Sequence, residues 1–124
     1  MSQILFIAAG GAAGALMRFW VSNGVYVLLG RGFPYGTLAV NVLGSLVMGF
    51  LFTLFLERMT VSPEMRGALL IGFLGAFTTF STFSIETLNL IEQAEYMKAG
   101  LNMVISVIAC IAACWVGLLI GRQL

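Results

Sequence analysis

A four-helix, all-α membrane protein is the fold class this sequence predicts, and three observations carry the prediction. The chain is 60% hydrophobic and only 9% charged, against about 25% charged in an ordinary soluble domain. Its mean hydropathy is +1.05. Its few charges also stand far apart: 17 uncharged residues precede Arg18, 25 separate Arg31 from Glu57, 19 separate Arg66 from Glu86 and 23 separate Lys98 from Arg122. A bilayer core requires about 20 predominantly apolar residues per helix, and these gaps match that length four times.

The predicted spans run from Gln3 to Leu29, Pro34 to Leu56, Pro63 to Ile91 and Lys98 to Gly121, with hinges at Arg31 to Pro34, Glu57 to Pro63 and Glu92 to Met97. Together they make residues 1–124 a single transmembrane domain. A closed barrel would show strands of about ten alternating residues, and no such alternation is present. The first span lacks a basic leading segment and continues beyond signal-peptide length, so it is expected to stay in the mature protein.

Composition also removes functions. The chain has no His and no Asp, which excludes Ser-His-Asp catalysis and most metal-ligand sets. A serine nucleophile would have no histidine base, so the chain is not read as an enzyme. A net charge of +1 offers no basic patch for nucleic acid. With the intramembrane Arg18 left out, the cytoplasmic-loop rule for Lys and Arg gives three on one side (Arg58, Arg66, Arg122) and two on the other (Arg31, Lys98). So small a difference is compatible with insertion in both orientations. Four short helices enclose little space, so a solute pathway would call for an oligomer, with an antiparallel pair as one form.

Glycines at 10, 11 and 14, at 44 and 49, and at 72 and 75 give the first three spans small-residue faces for close helix contact in lipid. The third span then carries Gly75-Ala76-Phe77-Thr78-Thr79-Phe80-Ser81-Thr82-Phe83-Ser84, five hydroxyls alternating with phenylalanines just after a glycine. This composition favours local side-chain to backbone bonds over a regular helix, and a break is predicted near the middle of that span. Broken helices persist at membrane depth only where freed backbone groups are buried in protein or hold a ligand or ion.

Polar groups recur at four-residue steps in the second span, at Thr37, Asn41 and Ser45, and in the last, at Asn102, Ser106 and Cys110. Such stripes either bind helices together or line a solute path. Asn41, the costlier group to bury, is read as a pathway residue. Arg18 must snorkel, pair or line water, and Glu86 either pairs with it or is protonated. Cys110 and Cys114 are too few for a zinc site and wrongly placed for a disulfide, and are read as small packing residues.

The motifs Gly-Gly-Ala-Ala-Gly-Ala-Leu-Met-Arg at 10–18, Gly-Thr-Leu-Ala-Val-Asn-Val-Leu-Gly-Ser at 36–45 and Gly-Ala-Phe-Thr-Thr-Phe-Ser-Thr-Phe-Ser at 75–84 closely resemble the Fluc (CrcB-like) fluoride channels, along essentially the whole chain. The resemblance implies passive fluoride export through two pores in a dual-topology, antiparallel homodimer of a bacterial inner membrane, with a structural sodium ion at the dimer centre. By position, Phe80 and Phe83 resemble the pore phenylalanines and Asn41 the pore amide. Thr37, Glu86, Asn102 and Ser106 resemble parts of the polar track, and Gly75 and Thr78 the residues whose carbonyls hold sodium. Ser81, Thr82, Ser84 and Arg18 complete the candidate fluoride path. The chain departs from the family pattern at Ala76, where a second glycine is expected, and at Cys110, where another hydroxyl is expected.

Asn amides and Ser or Thr hydroxyls donate hydrogen bonds, and aromatic edges carry the positive end of the ring quadrupole. Such groups partly replace water around an anion without trapping it. Two other functions are weighed. A small dual-topology multidrug exporter would need a carboxylate in the first span, yet no acid precedes Glu57. A non-transporting membrane subunit would explain the apolarity but not the hydroxyl cluster.

Overall fold

The computed structural model describes residues 1–124 as helices joined by short turns, with no strand. Helix α1 is Ser2–Leu29 and α2 is Tyr35–Arg58. The third span, Pro63–Glu92, is two helices, α3 over 63–77 and α4 at Phe80–Glu92; the last, α5, is Tyr96–Gln123. Each of the four spans is long and apolar enough to cross a membrane. The predicted bounds hold to within two residues. The largest corrections are the ends of α2 and α5, where Glu57, Arg58 and Arg122 continue the helices.

Local chemistry sets the ends. Gly30 closes α1 with φ of 82°, a conformation open to glycine, and its N–H bonds to the Tyr26 carbonyl at 2.8 Å. Ser62 caps α3, accepting from the Met65 N–H at 3.2 Å, with Pro63 in the first turn. At one end of the bundle Arg58 bonds to the Arg122 carbonyl, and Glu57 lies 3.6 Å from Arg122. At the turn into α5, Lys98 lies 3.8 Å from Glu95. Two stretches are π-helical, Leu54–Arg58 and Gly67–Phe73. Of 98 backbone hydrogen bonds, 87 lie inside helices, as lipid demands of a chain with no water to satisfy its amides.

The helices pack in two close pairs, α1 with α3 and α2 with α5, and α1 also meets α2. The α1–α3 seam is built from backbone against backbone. Gly10 lies on the Ala68 carbonyl, Gly14 on the Phe73 carbonyl and Gly72 on the Ile7 carbonyl, each too close for a Cβ. This realises the packing role expected of those glycines. Outward-facing side chains are apolar, among them Phe19, Trp20, Val27, Ile108 and Trp115. The interior instead holds Thr37, Thr53, Thr79, Thr87, Asn102 and Ser106 beside a small apolar core that includes Val40 and Leu74. That inversion suits a lipid surround, where hydrophobicity does not drive helices together.

Candidate functional site

The third span breaks at Thr78 and Thr79, which are extended (φ −87°, ψ 158° and φ −152°, ψ 117°). The break therefore falls near the middle of the span, as predicted, three residues after Gly75. Gly75 itself is helical, and a Cβ there would meet nothing within 4 Å. Two adjacent threonines account for the position. The Thr78 hydroxyl donates back to the Leu74 carbonyl at 3.0 Å and ends α3. Thr79 restarts the helix as its cap, its hydroxyl accepting from the Thr82 N–H at 3.2 Å.

Asn41 of α2 splices the break. Its side-chain nitrogen donates to the Thr79 carbonyl at 3.1 Å, and its oxygen accepts from the Thr79 N–H at 2.8 Å. An Asn amide has two N–H donors, so one stays free of this pairing. The splice also leaves carbonyls behind. In an unbroken helix the Thr79 N–H would serve the Gly75 carbonyl and the Thr82 N–H the Thr78 carbonyl; here they turn to Asn41 and to the Thr79 hydroxyl.

Two hollows border the break, and a third lies at the turn between α1 and α2. An open groove of about 420 Å³ is lined by Asn41, Ser45, Thr78, Thr79, Phe80, Phe83 and Ser106 among other, mostly apolar, residues. The Phe80 and Phe83 rings lie 5.3 Å apart and tilted by 38°, and Phe80 is 78% exposed. No charged side chain lines this groove. A second hollow, of about 170 Å³, holds Arg18 with Ser22, Thr37, Thr79 and Thr82. Thr79 lines both. A third, of about 260 Å³, gathers Tyr26, Arg31, Glu86, Asn89 and Gln93.

The predicted stripes are thereby divided. Four helical residues turn the chain about 40° past a full turn, so Asn41 and Ser45 reach the groove while Thr37 reaches the Arg18 hollow. Asn102 is 2% exposed and bonded inward: it donates to the Thr87 hydroxyl at 2.8 Å and accepts from the Ser106 hydroxyl at 3.3 Å. It thus ties α5 to α4, and Ser106 extends the tie to the groove. Ser84 bonds to its own helix at the Phe80 carbonyl, 2.9 Å away. Ser81 is exposed, 3.4 Å from the Thr79 hydroxyl; neither serine lines a hollow. Glu86 forms no ion pair with Arg18. One of its oxygens accepts from the Tyr26 hydroxyl at 3.0 Å, and the other is buried without a partner.

Sequence reasoning missed Thr79, Thr87 and Tyr26. The cap pattern Thr79-x-x-Thr82 signals the first. The other two carry no local signal, because their partners lie on other helices. Both cysteines, read as packing residues, are partly buried and line the groove.

Comparison with known proteins places this geometry in a family. The family model described as "CrcB-like protein, Camphor Resistance (CrcB)" matches residues 5–118. A curated relative in Methylococcus capsulatus, named fluoride-specific ion channel FluC, is 58% identical across 100% of this chain, and the chain spans 55% of that relative's length. Relatives of the same name in Magnetococcus marinus and Coxiella burnetii are 53% and 55% identical, covering 97% and 98% of this chain and 98% and 99% of their own. Matches at these identities across nearly the whole chain, on four spans with a break in the third, make the chain a multi-pass membrane protein that belongs to the CrcB-like (FluC) family.

Proposed function

We propose that the chain forms a fluoride-selective channel that exports fluoride passively across a bacterial inner membrane, and that it does so as an antiparallel homodimer with two pores. The observation that carries this reading is the uncharged groove at the break, where the free Asn41 N–H, the Ser45 hydroxyl and the rings of Phe80 and Phe83 gather. These are donors and ring edges able to replace part of an anion's water. No fixed charge lines the groove to hold the anion there. Relatives at over half identity carry the name of fluoride channels.

The groove is open on one side and Phe80 stands at 78% exposure. An anion path facing lipid lacks a wall, and a second copy supplies one. The near-tie of positive charges between the two sides agrees with insertion in both orientations. The carbonyls of Gly75 and Thr78, released by the break, are hard oxygen donors suited to a monovalent cation such as sodium, and in lipid they require a partner. Paired across a two-fold axis they would give four oxygens. In this reading Arg18, Thr37 and Thr82 draw the anion toward Thr79, with Ser81 and Ser84 flanking the path. Glu86, Asn102 and Ser106 belong to the polar line beyond.

Purified protein in liposomes, with fluoride and chloride efflux followed by ion-selective electrode, tests the proposal. Fluoride should leave down its gradient while chloride hardly moves. Equal release of both halides, or efflux that requires a proton gradient, would overturn it. The rings are tested by Phe80→Ile and Phe83→Ile, which keep apolar bulk and remove the quadrupole. Each should slow fluoride by roughly tenfold or more while the protein stays monodisperse, a change of about 1.4 kcal/mol in the barrier. Unchanged efflux in both would remove the rings from the mechanism.

A further inference from the structure

The groove is also lined by three sulfur-bearing residues. Cys110, Cys114 and Met48 all line it, the cysteines from α5 and the methionine from α2. The two helices touch there, since Gly49, next to Met48, packs on the Cys114 carbonyl too closely for a Cβ. Both cysteines are free and partly buried, and both line the groove.

We propose that Cys110, Cys114 and Met48 form a binding site for a soft monovalent cation of the Cu(I) or Ag(I) type. Side chains four residues apart on a helix share a face, with Cβ atoms about 5–6 Å apart. A disulfide needs its Cβ atoms at about 3.5–4.5 Å, so the spacing disfavours a disulfide. It does suit one ion bonded to both sulfurs. Thiolate and thioether donors select Cu(I) over hard cations. Zinc would require a fourth ligand, and no group of three or more His, Cys, Asp or Glu is present. One thiol releases its proton to the solvent on binding, and the resulting thiolate neutralises a monovalent ion. The bound site then carries no net charge at membrane depth, where an unbalanced one is costly.

The test uses the full chain purified in detergent, in chloride-free buffer with silver nitrate. Ion binding is measured by calorimetry and by protection of the thiols from maleimide. The expected result is one silver ion per chain, protecting both thiols together. Cys110→Ser and Cys114→Ser should each weaken binding by roughly 100-fold or more, and Met48→Leu, of similar volume and with both thiols intact, by about tenfold. Gel filtration and melting curves confirm that each variant is folded. Two ions per chain, with each single-serine variant retaining one at unchanged affinity, would overturn the site. So would an absence of thiol protection, or unchanged affinity in Met48→Leu.

Discussion

Asn41→Leu is expected to abolish fluoride efflux and to leave little monodisperse protein. Leucine has the same branched side-chain skeleton as asparagine but no polar atom, so both Thr79 backbone groups that Asn41 holds would lose their partner. An unsatisfied buried group costs about 1–3 kcal/mol. Two together reach about 2–6 kcal/mol, a large part of the roughly 5–15 kcal/mol that keeps a protein folded. Thr79 is 8% exposed, and lipid supplies no water to replace the amide. Asn41→Asp separates the two roles of this side chain. It keeps an acceptor for the Thr79 N–H, so the fold should survive better, but it places a carboxylate in the groove and should stop anion flux. Gel filtration and electrode-monitored efflux read the two effects separately. Wild-type flux in Asn41→Leu would show that the splice is dispensable and that the amide does not serve the path.

Four spans and a broken third helix were legible in the sequence because both depend on local quantities. The intervals between charges are set by the bilayer's thickness, and the Thr-Phe-Ser run reports its own competition with the helix. The exact position of the break was less legible. Glycine points to residue 75, but the deciding groups are the two hydroxyls at Thr78 and Thr79, one closing a helix and the other opening the next.

What lies between helices was legible only in part. A four-residue step looks like a straight stripe along one helix, yet its slow rotation sends Thr37 and Asn41 to different hollows. Glu86 has Arg18 as one candidate partner by sign of charge, but the group found bonded to it is Tyr26, about two turns further along α1. Asn102, on the polar stripe of α5, is fastened to Thr87 of α4. In each case the single-helix pattern identified a polar group worth explaining, while packing chose its neighbour.

The second large effect is expected at the α1–α3 seam. Gly14→Leu should yield no folded protein, and Gly14→Ala should lower the melting temperature markedly. A Cβ on Gly14 would overlap the carbonyl of Phe73 and crowd its Cα. Those atoms are backbone, so relief requires the helices to separate rather than one side chain to rotate. Overpacking of a close contact costs about 1–3 kcal/mol, and separation here would also loosen Gly10 from Ala68 and Gly72 from Ile7. Gly24→Ala supplies the contrast, since nothing lies within 4 Å of that position. It should hold or slightly raise stability, because alanine favours a helix over glycine by about 0.8–1.0 kcal/mol. Gly75→Ala is equally unobstructed within one chain, so it should leave the protomer's helix content intact. If a second copy covers the Gly75 face, the same change should weaken the dimer on gel filtration or cross-linking. Equal stability in Gly14→Ala and Gly24→Ala would show that the seam yields to a methyl group and does not set the spacing of α1 and α3.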